Sequence, residues 1–216
     1  MRAALLATVL AVVLPTLPAV AGPCLSPAAV REAGGAVFTH ADGTQTEIVY
    51  RDGNERLAMH DYRPHGSRGF WRAGPWGIYE TTGFKVSAGV DGLGIIRQSD
   101  LWTFSETPPA PKPGLEWSGT VVQKREIDTH AAPEIRKERS KLSVRFKVLA
   151  PIKGKIGGCT YDLWPVEAVF TGKESQISRR WLYFPDYDFA VMTRERDHFA
   201  GTTYESGLKA VALPKE

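Results

Sequence analysis

The densest set of side chains able to do chemistry is His60-Asp61-Tyr62-Arg63-Pro64-His65-Gly66. Two imidazoles and a carboxylate could supply three ligands to a zinc-like ion, because imidazole nitrogen and carboxylate oxygen are its ordinary donors. His60, Asp61 and His65 are therefore the candidate metal set, although their spacing matches no standard zinc pattern. A strand end entering a Pro/Gly loop accounts for the same residues without a metal. Ser67 follows in His65-Gly66-Ser67-Arg68-Gly69, which has neither the order nor the strand-to-helix setting of a nucleophile elbow. Asp128-Thr129-His130 and Asp197-His198 read as loop caps or solvent-facing groups. Gly92-Leu93-Gly94 and Gly157-Gly158 lack the strand and helix that a phosphate loop joins. No catalytic residue is assigned on these grounds, no cofactor is expected, and the reading leans away from an enzyme.

Binding chemistry is better represented. Arg136-Lys137-Glu138-Arg139-Ser140-Lys141 runs into a segment carrying Arg145 and Lys147. These cations could attract anionic lipid headgroups or other envelope polyanions. A solvated sheet face, or an edge guarded by charge, is the favoured reading of the same residues. The chain has 6 Trp. Trp71 and Trp76 flank Ala73-Gly74-Pro75, where exposed aromatics could touch a ligand or partner. The other reading of the aromatics is core filling. Arg145, Lys147, Trp71 and Trp76 are the candidate contact residues.

The setting is set by the N-terminus and the cysteines. Met1-Arg2 gives a minimal positive start, Ala3–Leu14 is apolar, Pro15 and Pro18 follow, and Ala19-Val20-Ala21 offers small residues for cleavage. That is the layout of a secretory signal, here residues 1–21. Its apolar run of about 12 residues is short of the roughly 20 that span a bilayer, so no transmembrane segment is expected in the mature chain. Cys24 sits where a lipoprotein would carry its lipidated cysteine, but Pro23 directly before it suits that processing poorly. The chain has 2 cysteines, and in a periplasmic or secreted protein Cys24 and Cys159 are expected to pair. With 27 Lys and Arg against 24 Asp and Glu, the chain lacks the strong basic balance of a nucleic-acid binder.

These residues have to be placed by strands. Ser26-Pro27 through Gly34-Gly35 reads as the one clear helix, with Ser26 as N-cap and Pro27 at the first helical position. Ile48 and Tyr50, then Leu57 and Met59, alternate around the turn Asp52-Gly53-Asn54. Gly77–Val86 and Leu101–Phe104 are further strand candidates. Residues 107–114, rich in Pro, are a loop that separates two strand-rich halves. Beyond it, Leu142, Val144, Phe146 and Val148 share one face, and Lys141, Ser143, Arg145 and Lys147 the other. Trp164, Val166, Ala168 and Phe170 share a face of the next strand, followed by Arg180–Phe184, Phe189–Thr193 and Leu208–Leu213. The fold class is mainly β: a curved antiparallel sheet or half-open barrel with one short N-terminal helix, residues 22–216 forming a single β-rich domain.

Residues 152–196 carry a cadence of their own: Gly158-Cys159-Thr160-Tyr161, Pro165-Val166-Glu167, Trp181-Leu182-Tyr183-Phe184-Pro185-Asp186 and Phe189-Ala190-Val191. It resembles exported bacterial β-rich domains of uncharacterised families, some related in shape to the unclosed β-barrels of periplasmic lipoprotein carriers. The resemblance implies a strongly curved sheet, wrapped around a short helix, that holds acyl chains in its concavity. It carries over no binding residue. The function expected is a non-enzymatic envelope protein that binds an apolar ligand or an envelope component such as a lipid or an envelope protein. An interaction or scaffold module is the alternative, and a hydrolase or metal-dependent enzyme the third.

Overall fold

The computed structural model describes residues 24–61, 69–88, 94–129 and 134–215. Residues 1–21, expected to be a secretory signal, and the candidates His65, Ser67, His130 and Gly92-Leu93 lie outside the described residues. The elements run α1 (Pro27–Glu32), β1 (Gly35–His40), β2 (Gln45–Tyr50), β3 (Glu55–His60), β4 (Gly69–Pro75), β5 (Thr82–Ala88), β6 (Ile95–Phe104) and β7 (Glu116–Thr129). They continue as β8 (Arg136–Val148), β9 (Ile152–Ile156), β10 (Cys159–Thr171), β11 (Gln176–Phe184), β12 (Phe189–Asp197), β13 (Thr203–Glu205) and β14 (Leu208–Ala212).

All the strand pairs are antiparallel, and all strands but β9 follow one path, β13-β12-β11-β10-β8-β7-β6-β5-β4-β3-β2-β1-β14. β9 pairs the first half of β10. The two ends of the path, β13 and β14, are joined by Ser206 and Gly207 alone. A connection that short reaches only about 10 Å, so the sheet has to curl until its ends nearly meet. The expected half-open barrel is the fold observed.

The curl creates two cores, one on each face of the same central strands. Trp181, Tyr183 and Ala190 pack with Val144, Phe146, Val148, Val166, Ala168 and Phe170 on one face. Phe184, Phe189 and Val191 pack with Val30, Phe38, Ile48, Tyr161 and Leu163 on the other. β10 accordingly buries odd residues at its start and even ones at its end, where the alternation Trp164-Val166-Ala168-Phe170 shows only the second half. Pro165 falls where β10 changes partner from β9 to β8, a break in the ladder that tolerates a missing amide. In β8 the expected alternation holds, with Leu142, Val144, Phe146 and Val148 buried and Lys141, Ser143, Arg145 and Lys147 exposed.

Helix α1 begins at Ser26, whose hydroxyl accepts from the Ala29 amide, with Pro27 in the first turn. It has only 6 residues, too few to stand alone, and Val30 anchors it in the second core. The Cys24–Cys159 disulfide forms as expected, across a sequence separation of 135. A link closing so long a loop contributes about 2–4 kcal/mol in typical cases.

One expectation needs correction, and the Pro-rich loop finds its place. The strand proposed over Gly77–Val86 begins only at Thr82; residues 76–81 turn inward instead. Ile78 and Tyr79 enter the first core, where Tyr79 meets Phe146 edge-on at 4.7 Å. Gly74 permits that turn, since a Cβ there would lie 1.9 Å from the Tyr79 carbonyl oxygen. The Pro-rich stretch 107–114 does not divide the sheet. It lies in the connection between β6 and β7, which pair from Ile96↔Thr129 to Phe104↔Val121.

Candidate functional site

Because side chains alternate across a strand, the register shows which residues share a face. One row on the face away from the first core runs Val37, Glu47, Met59, Trp71, Phe84 from β1 to β5. Its neighbour runs Val49, Leu57, Ala73, Thr82, Leu101 from β2 to β6. Among the described residues no element packs on Leu57, Met59 and Trp71, which are half-buried on this face. Trp71 stacks on Phe84, ring centroids 6.2 Å apart. An open cavity of about 860 Å³ lies on this face, lined by Tyr50, Leu57, Met59, Trp71, Ala73 and Thr82, with Arg51, Asp52 and Glu55 at its rim. Ligand pockets of small molecules fall in that size range and join an apolar wall to a few polar groups.

The opposite face of the same strands turns inward and carries a polar cluster beside Phe38 and Ile48 of the second core. Thr46 of β2 holds two imidazoles at once: its hydroxyl lies 2.7 Å from His40 Nε2 and 2.8 Å from His60 Nδ1. A hydroxyl has one proton, so it donates to one ring and accepts from the other. Tyr204 of β13 closes the set, its hydroxyl 3.2 Å from His40 Nδ1. Burial lowers the pKa of His40. Burial, helped by the neighbouring His40 charge, takes His60 down to about 4, so both rings are neutral at pH 7. Burial likewise raises the Tyr204 phenol to about 12.

Beyond this relay lies a charged network. Arg179 of β11 donates to Glu80 at 2.6 Å and to Glu195 at 2.7 Å, and Arg72 of β4 reaches the same Glu195 oxygen at 2.7 Å. Burial opposes the charge of Glu195, but the two guanidinium groups outweigh it and hold its carboxyl down at about 2. Asp100 accepts from Gln98, Gln123 and Arg125. These groups line an interior cavity of about 460 Å³ between β4–β6 and β11–β13. Every charge in the network meets its opposite, which is the arrangement of a structural seam.

The sequence candidates separate. Trp71 lies in the apolar cavity, whereas Trp76 packs edge-on against Tyr79 at 6.0 Å beside the first core. His60 turns inward to Thr46, and Asp61 is exposed at the end of β3 with a φ of 43°. Among the described residues no group of three or more His, Cys, Asp or Glu is placed to hold a metal. Arg145 and Lys147 stand on the exposed face of β8, and Lys147 pairs with Glu116 at 2.7 Å. His198 Nε2 meets Ser178 Oγ at 2.9 Å, an exposed pair, while Asp197 caps the amides of Phe199 and Ala200. His40, Thr46 and Tyr204 were not singled out by the sequence. Strand alternation from Ile48 back to Thr46 is the signal that could have placed Thr46 inward.

The chain matches no known family, no curated protein and no solved structure. Among the described residues no helix is long and apolar enough to cross a membrane. The disulfide fits a compartment outside the reducing cytoplasm.

Proposed function

We propose that this is an exported, non-enzymatic protein of the cell envelope, periplasmic or secreted, that binds an apolar ligand on the unlayered face of β2–β5. The observation that carries the reading is the open cavity walled by Leu57, Met59, Trp71 and Ala73 on a sheet face that no other element among the described residues covers. Half-exposed Leu, Met and Trp side chains in adjoining rows lower the free energy of an acyl chain laid across them, at roughly 25 cal/mol per Å² removed from water. The carriers that this curled form resembles hold acyl chains in the concavity, whereas the site proposed here lies on the outer face of the curl.

The test is titration with an uncharged single-chain acyl ligand, followed by tryptophan fluorescence and calorimetry. The expected outcome is saturable binding with a blue-shifted emission, abolished by Met59→Lys at unchanged melting temperature. No saturable binding by the native protein, or full binding by Met59→Lys, would remove the reading.

A further inference from the structure

The apolar rows continue, without a break in register, into a field of uncompensated cations. Thr82 of β5 lies opposite Leu101 of β6, Leu101 opposite Lys124 of β7, and Lys124 opposite Arg139 of β8. The next row on this face is Thr103, Val122, Lys141. Beyond it come Thr120, Ser143, Thr171 and then Ser118, Arg145, Val169. These rows contain no carboxylate. The acids of this face stand outside these rows and are paired: Glu126 with Lys137 at 3.2 Å and Asp128 with Arg97 at 3.8 Å on one side, Glu116 with Lys147 at 2.7 Å and Glu167 with Arg180 at 3.9 Å on the other. No ion pair among the described residues includes Lys124, Arg139, Lys141 or Arg145.

Two details argue that the field serves a partner. Lys124 and Arg139 stand directly opposite one another, and like charges in that position destabilise a sheet. An edge guarded against aggregation needs its cations on the edge strand, yet Lys124 and Leu101 lie on β7 and β6, each flanked by strands on both sides. Interleaved with the cations are exposed apolar side chains, Leu101 at 45% and Val169 at 37%. Four rows spaced two residues apart extend about 20 Å along the strands, wide enough to meet several headgroups.

We propose that this face of β6–β8 docks the protein on an anionic lipid surface. The cations meet the headgroup charge while Leu101 and Val169 enter the interface, and the apolar cavity lies on the same face, next to the membrane. Docking goes beyond the ligand reading and does not depend on it.

The experiment is co-sedimentation with vesicles of phosphatidylcholine alone or mixed with phosphatidylglycerol. The native protein is expected to pellet with the mixed vesicles, to be released by added salt, and to stay in solution with pure phosphatidylcholine. Lys124→Gln with Arg139→Gln is expected to weaken binding about 30-fold. Lys155→Gln with Lys209→Gln removes the same charge elsewhere and is expected to leave binding within about twofold, the order of change left when neither cation lies near the surface. Equal pelleting with both vesicle types, an equal loss in both variants, or capture by a soluble polyanion without any pelleting would each overturn the proposal. Titration with an uncharged acyl ligand reads the cavity alone, so either proposal can fail while the other stands.

Discussion

A histidine buried in a sheet must find partners for its ring nitrogens without the help of water, and Thr46 supplies one to each of two rings. Replacing that hydroxyl by a methyl in Thr46→Val leaves two buried nitrogens unsatisfied. We expect a loss of about 1–3 kcal/mol, seen as a lower melting temperature. The same residues set a pH dependence. His60 titrates near 4 in the fold against about 6.5 when unfolded, so between those values the unfolded chain binds more protons. Stability must therefore fall as pH drops from about 6.5 toward 4, by an amount on the order of 2 kcal/mol. Glu195, held at about 2, begins to lose its contribution only below the ordinary carboxylate range near 4.5. Melting curves at pH 7 and pH 4.5 thus isolate the imidazoles, and His60→Gln should flatten the difference. Sequence patterning could mark His60 as chemically able. It could not show His40 beside it, because the two are joined by register across three strands.

At the scale of elements, a buried cation of β11 ties it to the turn after β4 as well as to β12. Arg179 lies 5% exposed between Glu80, from the turn after β4, and Glu195 of β12, with its guanidinium over Trp102 and Phe170 at 5.4 and 5.2 Å. Arg179→Met keeps the stem and its packing but takes from Glu80 its 2.6 Å partner and leaves it only the longer contact with Arg72, at 3.6 Å. Removing one partner of a buried pair costs about 3–5 kcal/mol, so the variant should melt far below the native protein. Restoring neutrality with Glu80→Gln in the same chain should recover a large part of that loss. Strands with one buried face were legible in advance, as β8 shows with its alternation of apolar and basic residues. β10 to β12 were legible only in part, because burial on both faces erases the period of two. The inward turn at 76–81 was not legible. Gly and aromatic residues there suit a strand as well as a plug, and only the close passage of Gly74 by Tyr79 distinguishes them.

At the scale of the molecule, the sheet is a path whose two ends are consecutive in sequence, so the curl is written into the connectivity. The ends are also tied by hydrogen bonds: Ala41 donates its amide to the Gly207 carbonyl, and the Ser206 amide donates to Thr193. β14 then covers the outer edge of β1, from Val37↔Ala212 to His40↔Leu208. Nothing local announced this closure. The residues 206–207 that produce it are an ordinary Ser-Gly connection, and the pairing of β1 with β14 joins positions more than a hundred residues apart. Its consequence can be measured. A chain shortened after Gly207 keeps the buried residues of both cores, loses Leu208 and Val211 from the border of the second, and leaves β1 with an unpaired row of backbone groups beside the apolar residue Val37, an edge that other chains can pair with. That variant should melt at a lower temperature and elute from size exclusion as dimers or larger species at concentrations where the full chain is a single species. Retention of the native elution volume would mean that the seam at Tyr204 and Ser206 closes the roll without β14. The curl would then be held from the inside, by His40 and Tyr204, and the terminal strand would serve only to cover the edge.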